Sequence, residues 1–138
     1  MKKSVTVDAS VFVNAFSPDE DGSDTSAEFL SQLQKDNVPL IQPTLFFPEV
    51  VASIARKQDD AEVALELMQE LKKFPKLTFI ELDDDLAEYA SEVAANHRLR
   101  GSDAVYAAVA LRFGTELITL DKEQLERLPK VLTVKKPK

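Results

Sequence analysis

The chain has 138 residues, 17 Lys plus Arg against 24 Asp plus Glu, a net charge of −7, no cysteine and a single histidine, His97. That length suits one domain, expected to span residues 1–138 and able to bury on the order of 68% of its unfolded surface. The composition excludes a disulfide framework, thiolate zinc sites, Cys nucleophiles and His-rich metal sites, and the acidic balance argues against a passive binder of nucleic-acid phosphates.

Val5-Thr6-Val7 is a short β-prone run ended by Asp8. Val11, Phe12, Ala15 and Phe16 then recur at helical spacing, and Ser17 to Ser23 reads as a loop. Asp24 or Thr25 starts a second helix through Leu33, and Val38 to Gln42 is a strand candidate. Thr44 to Lys57 reads as a helix whose regular part starts near Phe47, because Pro48 is tolerated only in a first turn. Asp59 to Lys73 is an amphipathic helix with Val63, Leu67, Met68 and Leu71 on one face. Leu77 to Leu82 reads as a strand, and Asp83, Asp84 and Asp85 open a helix running to His97. Gly101-Ser102 punctuates the chain before an Ala-rich helix from Asp103 to Phe113, stopped by Gly114. Glu116 to Leu120 is a strand, Asp121 to Leu128 a short helix and Val131 to Val134 a last strand.

Strands alternating with helices predict an α/β domain with a mostly parallel sheet. No apolar run approaches the ~20 residues that span a bilayer. Met1-Lys2-Lys3 has the basic start of a signal peptide, but Asp8 interrupts the apolar stretch that would have to follow, so a cytoplasmic protein is expected.

In parallel sheets ligands bind at the carboxyl ends of the strands, and four acids fall there. Asp8 and Asp121 end strands, while Glu49 and Asp103 sit in first helical turns. Two unit charges 4 Å apart repel by ~4 kcal/mol at an effective dielectric of ~20. Hard divalent ions with oxygen ligands relieve that repulsion, which points to Mg²⁺ or Mn²⁺. Each acid alone has a plainer explanation, since carboxylates at helix N-termini cap free N–H groups; Asp59-Asp60 and Asp83 to Asp85 are assigned to that role only. Ser10 and Asn14 add short polar groups near Asp8.

These segments resemble those of PIN-domain ribonucleases. Val7-Asp8-Ala9-Ser10-Val11 is similar to the family's opening motif, and Pro48-Glu49-Val50 followed by Ile54-Ala55-Arg56 to its second acidic position. Asp103-Ala104-Val105-Tyr106 through Ala110 looks like the third, and Thr119-Leu120-Asp121 like the fourth. The resemblance covers essentially the whole chain, and the size is closest to VapC-like toxins of toxin–antitoxin pairs. It implies a three-layer α/β/α fold and Mg²⁺- or Mn²⁺-dependent endonuclease action on RNA. Asp8, Glu49, Asp103 and Asp121 would hold the metal, and Ser10 and Thr119 would supply supporting hydroxyls. It also implies a homodimer and a small antitoxin partner.

Two divalent ions would take the net charge from −7 to −3, as would removal of the four acids. RNA would still need local positive charge. Arg98 and Arg100 are candidates, although basic residues also suit helix C-termini for their own sake. Asp19, Asp21, Gly22 and Glu28 have a partial EF-hand cadence, but Ser17 stands at the first ligand position and the segment reads as an acidic solvated loop. His97 lacks a G-x-S-x-G partner for a triad, and no nucleotide-binding glycine motif is present. Phe12, Phe16, Phe46 and Phe47 are assigned to the core. Two alternatives stay open: a non-catalytic interaction module whose acids are caps, and a phosphohydrolase using Asp8 as nucleophile.

Overall fold

β-Branched and apolar residues alternate with helical stretches along the chain, and the computed structural model turns that alternation into a single parallel sheet. It describes residues 3–138; Met1 and Lys2, the basic start weighed above as a leader, lie outside the described residues. In chain order the elements are β1 (Val5–Val7), α1 (Ala9–Ala15), α2 (Ser23–Lys35), β2 (Leu40–Pro43), α3 (Phe46–Gln58) and α4 (Ala61–Leu71). Then come β3 (Leu77–Ile80), α5 (Asp84–His97), α6 (Gly101–Phe113), β4 (Glu116–Ile118), α7 (Lys122–Arg127) and β5 (Val134–Lys135).

The strand order is β3-β2-β1-β4-β5, with every pairing parallel. An all-parallel sheet must be covered on both faces, and the helices make the three-layer α/β/α architecture expected from the sequence. α6 lies across β1, β2 and β4 with α5 packed on it, while α1 packs on α2 and α3, and α3 on α4. Ala104 to Ala110 are all buried. The alanines among them let this helix approach the sheet closely, and a helix apolar all round belongs in a core. The chain progresses outward from β1 to β3, then returns to β4 on the other side of β1. The reversal between β1 and β4 is where parallel sheets open a crevice at their carboxyl ends.

Several boundaries differ from the sequence reading for local reasons. β2 starts at Leu40 rather than Val38, because the Val38 N–H donates to Leu33 O (3.0 Å) and finishes the α2 terminus, with Asn37 left-handed at φ 53°. β3 ends at Ile80 rather than Leu82, its pairing with β2 finishing at Pro43. β4 ends at Ile118 rather than Leu120, whose N–H turns to Ser10 Oγ (3.1 Å). β5 is only Val134–Lys135, because Val131 and Leu132 donate back to Leu128 O. Asp59 is the left-handed C-cap of α3 (φ 50°) and does not open α4; Asp60 caps α4 through Val63 N–H (3.1 Å). On α4 the buried face includes Ala64 in place of Val63, which is 39% exposed. Gly101 and Ser102 belong to the first turn of α6 and do not interrupt the chain. Among the described residues no helix is long and apolar enough to cross a membrane.

Candidate active site

β1 is three residues long, and a side chain completes its far end. Buried Gln42 accepts the Val7 N–H through Oε1 (2.6 Å) and donates from Nε2 to Val7 O (2.8 Å). Both polar groups of the residue before Asp8 are thereby satisfied where β1 and β2 part. Thr6 Oγ1 donates to Ile41 O (2.7 Å) and lies 2.6 Å from Thr115 Oγ1, and the Asp8 N–H donates to Ile118 O (2.8 Å). Asp8 is therefore held between the ends of β1 and β4, at the point where the strand order reverses.

The Asp8 side chain is buried and accepts three hydrogen bonds. Ser10 N–H (3.1 Å) and Thr119 Oγ1 (3.3 Å) reach Oδ2, and Gln124 Nε2 (3.4 Å) reaches Oδ1. Burial nonetheless raises its pKa, with Asp121 adding repulsion against the lowering effect of Ser10 and Gln124. Thr119 Oγ1 also accepts the Asp121 N–H (3.0 Å), so one hydroxyl links two of the four acids. Ser10 Oγ accepts the Leu120 N–H and so pins the start of α1 to the loop after β4. Asp121 Oδ2 caps α7 through Gln124 N–H (2.9 Å). The capping explanation thus holds in part for Asp8 and Asp121.

Glu49 and Asp103 cap nothing. Neither α3 nor α6 has a side-chain cap, yet both acids are pressed into the same region. Burial raises the Glu49 pKa and the Asp8 charge adds to it, against the pull of the Tyr106 and Ser102 hydroxyls. Buried Glu49 Oε1 and the Tyr106 hydroxyl nevertheless lack a well-formed hydrogen bond. The Asp103 carboxyl is pushed from 3.8 to about 6 by burial first, then by Asp121 and Asp8, with Arg100 opposing.

Asp8, Glu49 and Asp103 line one cleft of about 420 Å³, together with Ser10, Asn14 and Lys57. Asp121 stands beside that cleft, joined to it through Thr119 and through Arg100, whose Nη2 donates to Asp121 Oδ1 (2.8 Å). Arg100 also donates from Nε to Asp103 Oδ2 (3.0 Å). Arg98 is exposed at the left-handed C-cap of α5 (φ 54°), and its carbonyl accepts from Arg127. Asn14 is committed to the loop after α1: Nδ2 donates to Asp21 O (3.0 Å) and Glu20 Oε1 (3.3 Å), and Oδ1 accepts from Ser26 Oγ (2.7 Å). The loop with the EF-hand cadence is fastened by these bonds, and Glu28 is exposed on α2. Among the described residues no group of three acidic or imidazole side chains closes into a ready coordination shell.

Three contributors were missed from the sequence. Gln42 and Gln124 look like ordinary polar positions, and nothing local reveals that they are buried against Val7 and Asp8. Lys57, in the last turn of α3, pairs with Glu20 at the cleft wall. A second cleft of about 290 Å³, between α2 and α4, is lined mostly by apolar residues such as Phe16, Leu30, Leu71 and Phe74, with Glu70 its one acid.

An all-parallel α/β/α sandwich with carboxylates converging at its strand reversal defines the class. The sequence matches the PIN domain over residues 5–131, and the chain belongs to that family. Several solved structures share the fold. VapBC2 of Rickettsia felis, bound to a promoter DNA fragment, matches at TM-score 0.73 and 14% identity, covering 98% of this chain and 99% of that one. Mycobacterium tuberculosis VapC20, a toxin that cleaves the sarcin-ricin loop, matches at 0.69 and 17%, covering 86% and 90%. A toxin–antitoxin complex from Klebsiella pneumoniae matches at 0.65 and 20%, covering 94% and 96%. A comparison with curated proteins gives no match.

Proposed function

We propose that this protein is a divalent-metal-dependent endoribonuclease, the VapC-like toxin of a toxin–antitoxin pair, acting in the cytoplasm as a homodimer. The observation that carries the proposal is the delivery of Asp8, Glu49, Asp103 and Asp121 by four separate elements to one region, with three of their pKa values raised. Family membership supports nuclease chemistry, and the resemblance to VapC20 and the VapBC complexes supports RNA as substrate and an antitoxin as partner.

The residues suit Mg²⁺ or Mn²⁺. All candidate donors are carboxylate oxygens, the set these hard ions prefer. The unpartnered, buried Glu49 Oε1 and the raised carboxyls mark a site short of positive charge. A bound ion would supply charge neutralisation at the phosphodiester and a more acidic water for attack. Asp8, fixed by three donors, would hold such an ion with little reorganisation. Glu49 Oε1 offers an open acceptor, for the ion or for a proton of the attacking water. Thr119 keeps Asp8 and Asp121 in a fixed relation. Lys57, paired with Glu20 at the cleft wall, would exchange that partner for a substrate phosphate. With Asp8 already accepting three hydrogen bonds, a nucleophilic role for it is disfavoured relative to a holding role.

The test is cleavage of end-labelled structured and single-stranded RNAs, with matched DNAs, in Mn²⁺, in Mg²⁺ and in EDTA. RNA cutting that needs metal and is lost in a folded Asp8→Asn protein is expected. Cutting that persists in EDTA or in Asp8→Asn refutes the site.

A further inference from the structure

Arg100 joins Asp103, which lines the cleft, to Asp121, which stands beside it. It occupies the extended N-cap position of α6 (φ −65°, ψ 154°), where its carbonyl accepts the Ala104 N–H (2.9 Å). Its side chain is 67% exposed and ends in a fork, with Nε on Asp103 Oδ2 and Nη2 on Asp121 Oδ1. Asp121 Oδ2 is already engaged with the Gln124 N–H. Its Oδ1, the oxygen that Arg100 holds, carries no other hydrogen bond.

We infer that Arg100 is a positioning residue that competes with the metal. It holds Asp103 and Asp121 in register and gives up their oxygens when a divalent ion enters the cleft. This rests on the metal-dependent reading above. Three features carry it. The planar fork satisfies two carboxylates at once from two separate nitrogens in a fixed geometry, which the single ammonium of a lysine does not impose. The contacted oxygens belong to two of the four carboxylates offered to the cation, and the guanidinium charge there opposes a second positive charge. The Arg100 side chain is 67% exposed, so the guanidinium lies on the solvent side, where ion pairs are weak and reversible. Once displaced, the guanidinium remains at the edge of the cleft, and its fork fits a phosphate as well as a carboxylate.

The experiment is calorimetric titration of Mn²⁺ into the full-length wild type, Arg100→Ala, Arg100→Lys and Lys130→Ala, the last matching the change in net charge at an exposed position outside the cleft lining. Arg100→Ala is expected to bind Mn²⁺ roughly five-fold more tightly, about 1 kcal/mol. Arg100→Lys should fall between it and the wild type, and Lys130→Ala should match the wild type. In thermal melts, Mn²⁺ should raise the Tm of Arg100→Ala by more than that of the wild type. Equal or weaker Mn²⁺ binding by Arg100→Ala overturns the inference and leaves the nuclease reading standing. No Mn²⁺ binding by any of the four proteins overturns both.

Discussion

Replacing Asp103 by Asn should make the metal-free protein more stable at neutral pH while abolishing its activity. The folded protein holds this carboxyl at about 6 instead of 3.8, chiefly by burial and then by repulsion from Asp121 and Asp8. At 1.36 kcal/mol per tenfold change in proton affinity, keeping it ionised costs about 3 kcal/mol at pH 7.5. Asn removes the charge but keeps a buried polar group and weakens the Arg100 contact, so a net gain of about 1–2 kcal/mol is expected. For a chain of this length that is a rise of roughly 3–6 °C in Tm. The pH dependence follows from the sign. Because the folded pKa lies above the unfolded one, the folded state binds more protons between pH 4 and 6. The wild type therefore keeps its full stability below that window and loses part of it as the pH rises through it. The gain of Asp103→Asn should be fully developed above pH 6.5 and smaller by about 2–3 kcal/mol at pH 4, where Asn becomes slightly worse than the protonated acid. Urea melts of both proteins in EDTA across this range provide the assay. No gain at pH 7.5, or an equal gain at pH 4 and 7.5, refutes the reasoning.

Gln42→Leu should leave the buried Val7 N–H and carbonyl unpaired, a loss of about 2–4 kcal/mol visible in urea melts. Lys57→Glu should raise KM for RNA with a smaller effect on kcat, and should lower the slope of log binding affinity against log salt by about 0.7 if one phosphate contact is lost. Thr119→Val removes the hydroxyl shared by Asp8 and Asp121 and should lower kcat on the order of 10- to 100-fold, as loss of groups supporting metal ligands does, while far-UV circular dichroism stays unchanged.

The sheet and the positions of the four acids were legible because they depend on local pattern. Val5-Thr6-Val7 followed by Asp8, and the buried Ala-rich run opened by Asp103, announce a strand end and a core helix without tertiary information. Element ends were less legible. Val38, Leu82 and Val131 have strand propensity, but the local hydrogen bonds of Val38 and Val131 and the end of pairing at Ile80 decide otherwise. Gly101 looked like a breaker, yet it follows an N-cap residue and enters the helix at its first turn. The support of the site was invisible for a different reason. Gln42 with Val7, Gln124 with Asp8, and Arg100 with Asp121 are contacts over 35, 116 and 21 residues. They depend on which rotamer meets which neighbour, and no periodicity encodes that. Arg100 shows the difference: its basic character suggested an RNA contact, and its pairing with two of the acids could not be read from the sequence.

The central claim is that these four carboxylates form one metal centre. Anomalous scattering from Mn²⁺-soaked crystals of the wild type and of Asp8→Asn tests it most directly. The account predicts a peak in the cleft of the wild type within roughly 2.0–2.3 Å of carboxylate oxygens of Asp8 and at least one of Glu49, Asp103 and Asp121, weakened or lost in Asp8→Asn. A cleft without a peak at saturating Mn²⁺, or a peak that survives Asp8→Asn unchanged, would contradict it.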